Sequence, residues 1–103
     1  MEQFTLPEDK KDVVAEFFPP QEGAPLRIKI DIDNSLGSGE KWRLYQAWYD
    51  AIRLVLEKYK PTDMTNKGNG RNTIDWEVTG INAEQATEIK AKIEDRVQQS
   101  FAP

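Results

Sequence analysis

Residues Leu26–Asp33 read LRIKIDID: Leu26, Ile28, Ile30 and Ile32 alternate with Arg27, Lys29, Asp31 and Asp33. Successive side chains of a strand point to opposite faces. This segment is therefore a strand with one aliphatic face and one charged face. Such a strand belongs to a sheet that rests one side on a core and turns the other to water or to a partner. A second stretch repeats the pattern, with Ile74, Trp76 and Val78 alternating with Thr73, Asp75, Glu77 and Thr79 before Gly80 breaks it. The polar faces of the two strands are complementary, Arg27 and Lys29 on one and Asp75 and Glu77 on the other. Opposite charges facing each other across strands contribute about 0.2–1 kcal/mol per pair. The two strands are expected to be neighbours. Joined by a single helical crossover, they would run parallel with a right-handed connection.

The segment between them supplies the helix. Asn34–Gly39 reads NSLGSG, a loop, and Ser38 is the expected N-cap of a helix over residues 39–59. On a helical wheel Leu44, Tyr45, Trp48, Tyr49, Ile52, Val55, Leu56 and Tyr59 share one broad arc. Arg43, Gln46, Asp50, Arg53 and Glu57 lie opposite, with Leu54 as an apolar exception among them. Lys60-Pro61 ends the helix. Residues 61–72, PTDMTNKGNGRN, are polar and glycine-containing and are expected to be a mobile loop. After Gly80, Asn82 and Gln85 have capping-box spacing, and Ile89, Ile93, Val97 and Phe101 follow as a stripe four residues apart. A second helix resting on the sheet is expected there.

The N-terminal region admits two readings. Thr5-Leu6-Pro7-Glu8 fits a helix start, and Val13, Val14, Phe17 and Phe18 would give a helix over residues 5–18 an apolar side. The run VVAEFF is also compatible with a strand entering a hairpin with LRIKIDID. Helix is the preferred assignment, so that residues 1–20 form a first helix or an arm. Pro19-Pro20 ends either. Two strands alone make a marginal sheet. A third is expected from residues 1–6, from residues 13–18 or from a second subunit, and the last source makes a homodimer an alternative. The fold class that follows is α+β: a small two-layer sandwich, an open sheet with helices packed on one face, ferredoxin-like or a reduced relative of that plait.

The length of 103 residues fits one domain. A net charge of −4 argues against a broad basic surface for nucleic-acid backbone. The chain has no cysteine and no histidine. That removes disulfides, thiolate nucleophiles and Cys-ligated metals, together with the one side chain that ordinarily titrates near neutrality. The polar N-terminus carries no signal peptide and no apolar run is long enough to span a bilayer, so a soluble cytoplasmic protein is expected.

Five constellations could carry function. Asp31, Asp33 and Asn34 are oxygen ligands at a strand end, but the spacing lacks the Gly and the bidentate Glu of an EF-hand, and a charged solvent face explains them better. Gly37-Ser38-Gly39 precedes a helix, yet it lacks the Gly-Lys-Ser/Thr ending of a phosphate loop, and Glu40 would repel an anion. Lys67-Gly68-Asn69-Gly70-Arg71 pairs two cations with glycines near Trp76, but the alternation turns Trp76 toward the core. The aromatic helix face of Trp42, Tyr45, Trp48, Tyr49 and Tyr59 is wider than one small sheet covers, and Tyr and Trp are favoured at interfaces. Finally, Asp31, Asp33, Asp75 and Glu77 could share a face, where Arg27 and Lys29 would keep their titration ordinary and catalysis absent.

The expected function is a non-enzymatic protein–protein interaction module of adaptor, inhibitor or immunity type, without cofactor or metal. Its partner-binding residues are Arg27, Lys29, Asp31, Asp33, Leu54, Lys67, Arg71, Asp75 and Glu77. Two alternatives stand beside it. One is a single-stranded nucleic-acid binder using the 67–71 basic loop, and the other a small carboxylate or divalent-metal enzyme.

Overall fold

In the computed structural model the alternation of LRIKIDID becomes the central strand of a five-stranded sheet. The structure describes residues 1–6 and 12–101. The strands are β1 (Glu2–Gln3), β2 (Val13–Phe18), β3 (Leu26–Ile32), β4 (Asp63–Asn66) and β5 (Thr73–Thr79), in the spatial order β1-β2-β3-β5-β4. All four pairings are antiparallel. Helix α1 (Ser38–Lys58) links β3 to β4, and α2 (Ala83–Ser100) follows β5.

The expected neighbours, β3 and β5, do lie side by side, but the parallel crossover is overturned. The short strand β4 hairpins into β5 and reverses the chain once more, so β5 runs antiparallel to β3. Strand β4 also corrects the loop expected over residues 61–72. The helix expected over residues 5–18 is a strand where it is described. Val13, Ala15 and Phe17 are buried, whereas Val14, Glu16 and Phe18 face the other way. The proposed helix start at Pro7, Glu8 and Asp9 lies outside the described residues. Residues Glu2–Gln3 and Val13–Phe18 pair within the chain's own sheet and so do not form an arm. No second subunit is needed to complete it. The domain is α+β, an open antiparallel sheet with two helices, and its strand order differs from that of a ferredoxin-like plait.

The core follows from the alternation. Leu26, Ile28, Ile30 and Ile32 of β3 and Ile74, Trp76 and Val78 of β5 are buried on one face. Against them pack Leu44, Tyr45, Trp48, Ile52, Val55 and Leu56 of α1 and Ala86, Ile89, Ile93 and Val97 of α2. Phe4 closes this core with edge-on contacts to Phe17 and Trp48, each 5.5 Å between ring centroids. Burial of aliphatic side chains at about 1.5–3 kcal/mol each supplies most of the stabilisation.

Helix ends are set locally. The N-cap of α1 is Gly37, not Ser38, and no side chain caps it. The Asn82 capping box of α2 forms as its spacing requires: the Gln85 amide donates to Asn82 Oδ1 (2.8 Å) and the Asn82 amide to Gln85 Oε1 (3.0 Å). Lys60, at φ 49°, lies in the left-handed region and turns the chain out of α1 before Pro61.

Candidate functional site

Both helices lie on the aliphatic side of the sheet, so among the described residues no helix covers the opposite face. The register arranges its side chains in rows across the strands. Phe18, Arg27, Glu77 and Thr65 form one row, Glu16, Lys29 and Asp75 the next, and Val14, Asp31 and Thr73 a third. In the first two rows a cation of β3 therefore lies beside a carboxylate of β5, while along β3 the two cations follow one another and along β5 the two carboxylates do.

Two ion pairs fix this mosaic. Arg27 donates to Asp75 through Nε and Nη2, both at 2.9 Å, a two-point contact that suits the guanidinium fork. The register places Arg27 directly opposite Glu77, so the bond to Asp75 is diagonal. The Arg27 guanidinium also lies over the Phe18 ring, 5.4 Å from its centroid. Glu77 is held by Lys67 instead, with Nζ to Oε2 at 2.8 Å. Hydrogen bonding from Arg27 holds the Asp75 carboxyl below its ordinary range against the opposing effect of burial. Asp33 is also lowered, first by the Ser35 amide and then by the Ser35 hydroxyl, both of which donate to its Oδ1.

At one end of the face, beside the β2–β3 turn, lies a recess of about 320 Å³. Met1, Phe18, Pro19 and Pro25 give it apolar walls, and Arg27 and Glu77 border it on the charged side. A helix over residues 5–18 would not place Phe18 and Val14 on this face. The same run read as a strand places both of them, with Glu16, on this face.

The structure thus brings together Arg27, Lys29, Asp31, Asp75 and Glu77 on one surface and adds Lys67 to it. Asp33 sits just beyond the end of β3. Arg71 is exposed in the turn before β5, where the Asn69 side chain accepts amides from Arg71, Asn72 and Thr73. Leu54 does not join them. It is 42% exposed on the helical layer, in a shallow groove with Ala47, Asp50 and Arg96.

The aromatic helix face divides. Trp48 is core. Trp42, Tyr45 and Tyr49 form a row of rings, with centroids 6.2 Å and then 5.7 Å apart and planes within 13° of parallel. The row ends on Trp76 of β5, 5.9 Å from Tyr49. Trp76 faces the core as its alternation requires and is unavailable for stacking on a base. Trp42 is the solvent end of the row, at 58% exposure.

Chemically, Arg27 holds the Asp75 carboxyl below its ordinary range, and Glu77 is ion-paired with Lys67. A general acid needs the reverse, a carboxyl raised by burial or by a like charge. Among the described residues no cluster of three or more carboxylates is placed to hold a metal ion, and no helix is long and apolar enough to cross a membrane. No family model, curated protein or solved structure matches the chain.

Proposed function

We propose that this protein is a non-enzymatic protein-binding module, an adaptor, inhibitor or immunity-type protein, that docks its partner on the open sheet face. One observation carries the reading: an ordered mosaic of paired charges leads into an apolar recess, on a face that no part of the described chain covers. Protein interfaces are built this way, with an apolar pocket for an anchoring side chain and a polar surround that sets orientation. The two ion pairs are formed before binding, so little side-chain ordering remains to oppose association.

The charge arrangement disfavours a nucleic-acid partner. Phosphate binding needs free cations, and here Arg27 is engaged by Asp75 and Lys67 by Glu77. Lys29 is flanked in register by Glu16 and Asp75. Arg71 stands outside this mosaic.

The test is recovery of the tagged protein from lysate of its own host, with and without nuclease. Two variants accompany it: one replacing Asp31, Asp33, Asp75 and Glu77 together by the corresponding amides, and Leu54→Ser. The expected result is a stoichiometric protein that survives nuclease, is lost with the quadruple variant and is kept by Leu54→Ser. Material lost on nuclease treatment would replace this reading with the nucleic-acid one. A partner kept by the quadruple variant and lost with Leu54→Ser would move the site to the helical layer.

A further inference from the structure

The sheet ends at β4, and the hydrogen-bond parity of the strands fixes which β4 groups face outward. Ile32 N–H donates to the Asn72 carbonyl at 2.8 Å, so the even-numbered residues of β5 turn their backbone groups toward β3. The odd-numbered ones turn toward β4, as the 2.7 Å bond from Lys67 N–H to the Asp75 carbonyl confirms. Within β4, Thr65 therefore points its backbone groups inward. Met64 and Asn66 point theirs away from the sheet.

We propose that two copies of this chain pair through their β4 strands, antiparallel, about a two-fold axis at Thr65. Only registers that set outward-facing residues opposite one another can form bonds. Centring on Thr65 sets Met64 opposite Asn66 of the second copy, and each such pair exchanges two N–H···O bonds. It also sets Asp63 opposite Lys67 of the second copy, at both ends of the strand. Shifting the axis to Met64 puts Asp63 opposite Thr65. Shifting it to Asn66 puts Lys67 opposite Thr65. Centring on Thr65 is thus the register that pairs opposite charges.

The ion pairs would form on the open face. Asp63 lies in register with Thr79 of that face, and its carboxylate has no side-chain partner among the described residues. Lys67 stays engaged with Glu77, and with more than half of its side chain exposed its ammonium can bridge Glu77 and the Asp63 carboxylate of the second copy. Exposed edge strands are commonly protected by charges that repel a second copy. Asp63 at the start of β4 and Lys67 just beyond its end differ in sign and lie symmetrically about Thr65, so a second copy is attracted. Pairing would continue the sheet from one copy into the other and set their two open faces side by side. The docking reading above does not depend on it.

Thr65→Cys tests this directly, because the chain has no other cysteine. A pair flanking the axis without hydrogen bonds has Cα atoms about 4.5 Å apart, within reach of a disulfide. Under mild oxidation Thr65→Cys is expected to form a covalent dimer at least about tenfold faster than Thr87→Cys, an exposed position on α2, because pairing raises the effective thiol concentration. Adding Asp63→Lys, which sets lysine opposite lysine, is expected to slow it severalfold. Sedimentation of the unmodified chain is expected to show a dimer whose fraction rises with concentration. Equal cross-linking rates for the two cysteine variants would overturn the proposal, as would indifference to Asp63→Lys or a chain that remains monomeric.

Discussion

Removing the Arg27–Asp75 pair measures how firmly the open face is ordered. The two N–H···O contacts are both 2.9 Å, and the side chains are 40% and 19% exposed respectively. A fully exposed pair contributes about 0.2–1 kcal/mol, and a hydrogen bond to a charged group about 1.5–3 kcal/mol. With Asp75 mostly covered and Arg27 partly wet, a coupling near 1 kcal/mol is expected between the two ends of that range. Asp75→Asn alone should cost about 1–1.5 kcal/mol, since Arg27 keeps its place over Phe18 and gains a route to Glu77. In a domain of this size that corresponds to a fall in Tm of about 4–8 °C per kcal/mol. The assay is a double-mutant cycle in urea with Arg27→Met, Asp75→Asn and the double variant. The acid limb adds a second readout. The Asp75 carboxyl lies below its ordinary value of 3.8 in the folded state. Its contribution is therefore complete above the unfolded pKa and is lost as pH falls through the folded pKa. Asp75→Asn should show a smaller drop in stability across that acid window than the parent chain. A coupling under about 0.3 kcal/mol, together with an unchanged acid limb, would refute the claim that the pair orders this face.

Three further outcomes follow from named contacts. Gly80 adopts φ 89°, and a Cβ there would lie 2.7 Å from the Thr62 amide nitrogen, so Gly80→Ala should cost about 2 kcal/mol or more, read as a lowered urea midpoint. Asn82→Ala breaks the capping box of α2 and should cost about 1 kcal/mol in the same assay. Trp48→Ala empties a fully buried site and should cost about 3–5 kcal/mol, whereas Trp42→Ser, at the solvent end of its aromatic row, should stay within about 0.5 kcal/mol of the parent by thermal melting.

The amphipathic elements were legible in sequence because burial imposed one period on each. Strands β3 and β5, the broad arc of α1, the stripe of α2 and the inward turn of Trp76 all follow from alternation or helical spacing. So does the charge complementarity that brings β3 beside β5. Strand β4 was not legible. It is four residues at a sheet edge with Met64 as its only apolar side chain, and nothing in DMTN outweighs the asparagines and glycines around it. Missing β4 also inverted the direction assigned to β5, since one hidden hairpin changes a crossover into an antiparallel return. Strand β2 was ambiguous for a different reason. In VVAEFF both faces carry apolar residues, because Val14 and Phe18 stand on the open face, so no clean alternation marks it. Those two side chains, with the recess beside Phe18, are the part of the candidate surface that sequence patterning concealed. The charged part was visible in LRIKIDID and TIDWEVT, though the diagonal bond from Arg27 to Asp75 and the capture of Glu77 by Lys67 depend on the register.

The most direct test of the docking face is site-specific photocross-linking in host cells. A photoreactive residue replaces Lys29 at the centre of the open face or Phe18 at the recess in one set, and Asp50 or Gln99 on the helical layer in another. A discrete protein adduct formed from the first set and absent from the second is the predicted result. Adducts confined to the helical positions, or adducts to nucleic acid from the sheet positions, would contradict it.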